Sequence, residues 1–395
     1  MKILFDYQAF DMQNFGGISR YFYELINYYQ SDENIKWELP IIYSGNEYLR
    51  QLDQVKGKLQ PKISTAASFN NFLWGAHFKG KKYLFDIKNR MVPDKATVQT
   101  EANKQASVEK LKKGDFDVFH PTFYDDYFLN YIGAKPYILT VYDLNNQIFP
   151  EFHMYDARDK NKKLLDAAAR IISISESTKS DLINIFNVDE KKIIVTHLAN
   201  SLQPASVTVS DDFKKKIPAG FLLFVGNRDG YKNFLFFAQV VAALNDKGYN
   251  LNVVCTGPPF NKKELFFLNK LGAAKNFLQI FVNDNELTYL YKNAIAFVFP
   301  TMYEGFGIPA LEAFSCGCPV LVSHNSSLPE VCGDAAVYFE PKHSASMAKA
   351  IASMMDDRAL RQDHINRGFE QLKKFSWQAT AAQTLDIYKQ VVTPQ

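Results

Sequence analysis

Short apolar runs alternate along the chain with stretches in which apolar residues recur every three or four positions. Ile3 to Tyr7 is such a run. A polar loop with Gly16 and Gly17 follows. Ile18, Tyr21, Phe22, Leu25, Ile26 and Tyr29 then fall at helical spacing. Strand, glycine loop and amphipathic helix open a nucleotide-binding-type α/β unit. Asp117 to Phe119, Tyr137 to Val141 and Ile171 to Ile174 read as further buried strands, with a helix over Lys160 to Ala169. From about Asn200 to Lys216 the pattern lapses into Ser, Thr, Pro204 and a lysine run, which reads as a linker and surface turn. A second series follows. Strands are predicted at Phe221 to Val225, Leu251 to Cys255, Ile280 to Val282, Ile295 to Phe299 and Val320 to Val322, with a helix over Leu235 to Leu244. Apolar strands alternating with helices imply parallel sheets covered on both faces. The pattern therefore predicts an α/β chain of two Rossmann-like domains facing across a cleft, over residues 1–198 and 199–372, with ligands at the carboxyl ends of the strands.

Composition agrees with that size. At roughly 100–200 residues per domain, 395 residues make two domains, or three. Aromatic residues reach 14%, which excludes a disordered chain. The net charge of +3 is too weak for a nucleic-acid partner. Four cysteines make no disulfide framework and fit a reduced, cytoplasmic setting. The N-terminal apolar run is too short for a secretory signal, and no stretch approaches the roughly 18 apolar residues of a membrane span. A periplasmic solute-binding protein is disfavoured for that reason. Between 70 and 90, Phe72, Leu73, Trp74 and Phe78 precede Lys79, Lys81, Lys82, Tyr83 and Phe85. Such a segment suits peripheral contact with the inner membrane face or a lipid-like acceptor. An ordinary helix pair with a solvated lysine turn is the favoured alternative.

The sharpest chemistry lies in Pro300 to Gly317. A strand ends near Pro300, a loop holds Gly305 and Gly307, Pro309 suits a helix start and Gly317 a helix stop. Glycines that admit a ligand to backbone N–H groups, joined to a helix N-terminus, make an anion site suited to phosphate. Glu304 in the loop and Glu312 in the first turn of the expected helix are acceptors for sugar and ribose hydroxyls. A phosphate cradle beside two hydroxyl readers describes a nucleotide-sugar site. Upstream, Gly226, Arg228 and Lys232 follow a strand. Two cations there would neutralise a diphosphate and support its departure.

With Glu-Gly-Phe-Gly-Ile-Pro-Ala-Leu-Glu at 304–312 and Val-Gly-Asn-Arg-Asp-Gly-Tyr-Lys-Asn at 225–233, the chain resembles the retaining glycosyltransferases of family 4. The resemblance spans nearly the whole chain. Gly16 to Tyr21 looks like the family's N-terminal glycine loop, and Asp117 to Pro121 like its strand bearing an active-site histidine. Ser173 to Ser177 resembles the end of the first domain, Val282 to Leu287 the loop near the nucleotide base, and Phe375-Ser376-Trp377 the start of the last helix. The resemblance implies a GT-B fold, with acceptor in the first domain, sugar nucleotide in the second, and residues 373–395 crossing back to the first. It implies that Arg228 and Lys232 hold the diphosphate, Glu312 the ribose, and Glu304 the transferred sugar. His120 would face the sugar near its anomeric carbon. Gly16 and Gly17 would approach the phosphates or acceptor. Gly226, Val282, Gly305, Phe306, Gly307 and Ile308 would line the nucleotide site. No metal or cofactor is expected, because the nucleotide-diphosphate sugar is itself the co-substrate.

Two departures stand out. Tyr142-Asp143 occupies a place where many relatives have His-Asp, and a phenol is a poor base near neutral pH. Tyr231 stands where many relatives have arginine. His153, His197 and His324 read as structural, and Cys316, Cys318 and Cys332 as core thiols rather than metal ligands. The expected activity is retaining transfer of a hexose, first mannose from GDP-mannose and second a sugar from a UDP donor. The acceptor is a glycan or lipid-linked sugar, in surface polysaccharide synthesis. A glycoside hydrolase using Glu304 and Glu312, a sugar-nucleotide epimerase and a non-catalytic nucleotide binder are the rivals.

Overall fold

The computed structural model describes residues 1–63, 93–152, 157–202, 204, 207–228 and 230–392. The aromatic and lysine segment at 70–90 lies outside the described residues, as does His153.

In the first half, β1 (Lys2–Phe5) pairs in parallel with β2 (Lys36–Glu38) and β3 (Val118–His120). β4 (Ile138–Val141), β5 (Arg170–Ser173) and β6 (Ile193–Val195) form a second parallel trio. A bridge from Phe119 to Tyr137 joins the trios, and the Phe119 N–H donates to the Pro136 carbonyl at 3.0 Å. The strands thus run β2-β1-β3-β4-β5-β6. The order reverses between β1 and β3, and a crevice opens at that switch point.

The second half holds one parallel sheet in the order β12-β11-β10-β7-β8-β9. These strands are β7 (Phe221–Phe224), β8 (Asn252–Thr256), β9 (Phe277–Ile280), β10 (Ala296–Phe299), β11 (Val320–Ser323) and β12 (Val337–Phe339). Every residue of β7, β10 and β11 is buried, as a sheet covered on both faces requires. Phe221 and Leu223 point into one core, Leu222 and Phe224 into the other, following the period of two. This order is that of dinucleotide-binding sheets, with its switch point between β7 and β10. The two segments read as chemical, Gly226 to Lys232 and Pro300 to Gly307, leave those two strands.

Two expected elements are displaced. The strand expected at Ile280 to Val282 ends at Ile280. Asn283 and Glu286 then form a reciprocal capping box that starts a helix at Asp284. The linker over 200–216 contains a helix, Asp211–Lys216, because the Ser210 side chain accepts from the Phe213 N–H.

The helices used below are α1 (Gly17–Tyr29), α2 (Glu176–Phe186), α3 (Asp284–Asn293), α4 (Ile308–Ser315), α5 (Leu328–Cys332) and α6 (Trp377–Val392). α6 lies against α1 in the first half. The Tyr29 hydroxyl donates to the Ala381 carbonyl at 3.0 Å, and Trp377 Nε1 donates to Ser201 Oγ at 2.7 Å. Among the described residues no helix is long and apolar enough to cross a membrane.

Candidate active site

β10 delivers the chain into the Glu304–Gly307 loop at the switch point. Gly307 takes φ 113°, a left-handed conformation that favours glycine, and caps α4. Ile308 is the first helical residue and Pro309 the second, so the proline removes no intrahelical bond. Ser327 Oγ donates to the carbonyls of Glu304 (2.9 Å) and Phe306 (2.7 Å), while the Glu304 N–H donates to Ser326 Oγ at 3.0 Å. The loop is therefore braced from the start of α5.

Across the cleft, α1 begins at Gly17 with Gly16 as its cap. A Cβ placed on Gly17 would lie 4.0 Å from Ile308 Cδ1. The N-termini of α1 and α4 thus meet at one place, and their aligned peptide dipoles both favour negative charge there.

Lys232 lies beside this junction. Its Nζ donates to Glu304 Oε1 at 2.6 Å in a pair that is largely shielded from solvent. Burial works against the lysine charge, but Glu304 outweighs it and the pKa ends above the ordinary lysine value. Lys232 is therefore a fixed cation. Glu312 lies one turn into α4, in its second turn rather than its first. It accepts from the Tyr291 hydroxyl at 3.1 Å. Burial pushes its carboxyl up to about 7, with the Tyr291 bond opposing.

Gly226, two residues past the end of β7, takes φ 104°, and its N–H donates to Thr256 Oγ1 at 3.2 Å. Val282 is half-buried just ahead of α3.

Three assignments need correction. Arg228 is no free cation. Its side chain is 2% exposed, pairs with Glu264 at 3.0 Å, and donates to the carbonyls of Thr256, Pro258 and Pro259. The guanidinium also lies 4.7 Å from the Phe260 ring centre. With each of its three nitrogens engaged, Arg228 braces the loop after β8 and leaves Lys232 to meet an anion. His120 is fully buried, with Nδ1 2.6 Å from Tyr388 Oη and Nε2 2.9 Å from Thr140 Oγ1. Burial pushes its pKa down to about 3, so it is neutral and holds α6 to β3 and β4 rather than facing a sugar. The Phe306 ring is buried between His197 and Phe375, 5.8 and 5.7 Å centre to centre, so it packs rather than lines a ligand.

The four cysteines are buried and free, and burial pushes all four thiols up. Tyr142 is buried too, and burial pushes its phenol further from any role as a base.

Sequence reasoning passed over a set of contacts that hold the two halves together. Ser175 Oγ and Thr178 Oγ1, at the start of α2, donate to the Gly305 carbonyl at 2.7 and 3.3 Å. The Tyr303 hydroxyl donates to Asp181 Oδ2 at 2.7 Å. Glu330 on α5 accepts from the Glu176 N–H through both oxygens at 3.0 Å, and from His197 Nε2 at 2.6 Å. A carboxylate from one half thus caps a helix of the other. The Ser-Glu-Ser-Thr start of α2 carried the sequence signal for that cap site, but nothing near Glu330 named its partner.

Comparison with known proteins agrees with this architecture. The sequence profile of the glycosyl transferases group 1 matches residues 210–371. The chain is 29% identical to the O-antigen chain mannosyltransferase B of Escherichia coli, over 94% of this chain and 96% of that one. It is 30% identical to the O-antigen chain mannosyltransferase RfbU of Salmonella typhimurium, over 55% of this chain and 60% of that one. Anabaena HepE, solved in complex with UDP and glucose, superposes with a TM-score of 0.69 at 14% identity, covering 98% of this chain and 99% of that one. The fold is GT-B.

Proposed function

We propose that the chain, whose residues 210–371 match the glycosyl transferases group 1 profile, is a retaining mannosyltransferase of surface polysaccharide assembly, using a nucleotide-diphosphate mannose, with GDP as the nucleotide. The observation that carries this reading is the Lys232–Glu304 pair, set where the N-termini of α1 and α4 converge.

The diphosphate sits against those helix starts, and the Lys232 ammonium neutralises it. Glu304 accepts hydrogen bonds from the transferred sugar, and Glu312 accepts them from the ribose. The acceptor hydroxyl oxygen forms its bond to the anomeric carbon on the face from which the phosphate leaves. As the bond from the anomeric carbon to the donor phosphate oxygen breaks, its electron pair stays on the diphosphate, whose departing oxygen takes the hydroxyl proton. Developing negative charge is greatest there, where Lys232 and the helix dipoles are already in place, so no reorganisation is needed in the transition state. Naming O-antigen mannosyltransferases, the relatives support the sugar and the pathway class.

Lys232→Ala should weaken GDP binding by at least tenfold in titration calorimetry, with UDP and ADP as the competing bases. Unchanged GDP affinity would overturn the diphosphate assignment. Tighter UDP binding would move the donor to a UDP-sugar.

A further inference from the structure

Tyr231 precedes Lys232 on the short turn Gly230–Lys232, and its ring meets the first half of the chain. Phe149, just past the short helix Asn145–Ile148, lies 6.2 Å from it centre to centre, with the two planes 19° apart. That is an offset stack, one of the two arrangements aromatic pairs prefer. Phe149 also meets the Tyr303 ring edge-on at 6.4 Å. Three residues on, Phe152 covers Gly230, where a Cβ would come within 2.3 Å of Phe152 Cε1. Two first-half rings thus lie against the turn that carries Lys232.

The same turn is tied to the second half through its backbone. The Tyr231 carbonyl accepts from the Met302 N–H at 2.7 Å and from Thr301 Oγ1 at 3.4 Å, on the segment that leads to Glu304. The Lys232 ammonium lies 5.1 Å from the Tyr231 ring centre and 5.4 Å from that of Phe299, inside the roughly 6 Å of a cation–π contact. Asp143, also in the first half, attracts the ammonium too, less than Glu304 does. A lysine carries its charge on a flexible four-carbon stem, so the walls around the stem decide where the charge lies. The Tyr231 ring is such a wall, and it touches both the first half and the cation that meets the diphosphate.

We propose that Tyr231 is a positioning residue for the transfer: stacked on Phe149, it fixes the Lys232 ammonium beside Glu304, so that the cation is placed when the two halves stand together and loosened when they part. The proposal rests on the transferase reading above. With the halves apart, nucleotide still binds to the second half, and its phosphates draw Lys232 in. The stack therefore bears on turnover, where both halves are engaged, and little on nucleotide affinity.

The test uses the full chain with GDP-mannose as donor and mannotriose or water as acceptor. GDP release is followed at saturating donor, and GDP affinity is measured by calorimetry. Phe149→Ala should slow GDP release about fivefold, the scale of one aromatic pair, with GDP affinity within twofold of wild type. Tyr231→Ala should slow it at least as much. The double variant should be no slower than the slower single one, because both remove the same contact. Phe149→Leu keeps the bulk without the ring, and it serves where the alanine variant unfolds. Its melting temperature should stay near that of wild type while GDP release falls as in Phe149→Ala. Losses that multiply in the double variant, or unchanged GDP release in Phe149→Leu, would overturn the positioning role, while GDP binding by wild type keeps the transferase reading. Wild type that neither binds GDP nor releases it from GDP-mannose would defeat the transferase reading and the positioning role together.

Discussion

The Glu312 carboxyl is buried on α4 and ionises near 7 in the folded chain, against an ordinary value of 4.5. Below about pH 4.5 it is protonated in both states and costs nothing. Between there and 7 the unfolded chain loses the proton first, so stability falls as pH rises, and the full cost is present above 7. The shift corresponds to up to about 3 kcal/mol. Glu312→Gln keeps an acceptor for Tyr291 without the charge. Its urea midpoint should match wild type at pH 4.5 and exceed it at pH 8; equal midpoints at pH 8 would refute the assignment. His120 carries the opposite expectation. Its two nitrogens serve Tyr388 and Thr140. His120→Ala should cost about 3 kcal/mol through a cavity and orphaned hydroxyls, with nucleotide affinity within twofold of wild type. A loss of nucleotide affinity or turnover at unchanged stability would return His120 to the reaction centre.

Two glycines at element ends separate packing from ligand approach. Gly305 lies against the Tyr142 backbone with no room for a methyl group, so Gly305→Ala must push the loop off the first half. Turnover should fall at least a hundredfold, together with thermal stability. Gly17 opens α1 toward the cleft, and its nearest neighbour would be in ordinary contact with a Cβ. Gly17→Ala should leave the melting temperature unchanged or slightly higher, since alanine favours a helix, while nucleotide-sugar affinity drops. A stable variant with full affinity would show that the phosphates do not approach α1. At this scale the sequence was most readable where one rule acted alone. β7 and β10 are continuous apolar runs and β11 is one up to Ser323, and each was evident from the chain. Asp211–Lys216 was not, because five of its six residues are charged and only the Ser210 cap marks it. The switch-point loops could be read because glycine, proline and carboxylates cluster locally. The fate of Arg228 could not, since it depends on Glu264, 36 positions away, and both residues suit solvent equally well.

In the whole molecule, the closed arrangement depends on the start of α2. Its hydroxyls bind the Gly305 carbonyl, and its first amide binds Glu330. Hydrogen bonds to a charged group contribute about 1.5–3 kcal/mol. Glu330→Ala should therefore shift the free chain toward open forms. Small-angle scattering should give a larger radius of gyration than wild type, and saturating nucleotide should reduce the difference. An unchanged radius with unchanged turnover would leave Glu330 as a local cap without influence on closure.

The return of α6 to the first half also bears on how the chain is made. Tyr388 pairs with His120 across 268 positions, and Tyr29 with Ala381 across 352. Contacts so distant in sequence form late. During synthesis β6 emerges long before Trp377. At roughly 5–20 residues per second that interval lasts about 10–40 s. For that time the faces of α1 and β3 that α6 will cover, including Tyr29 and His120, stand open to water and to chaperones, while the second sheet is free to complete itself as an insertion within an unfinished first domain.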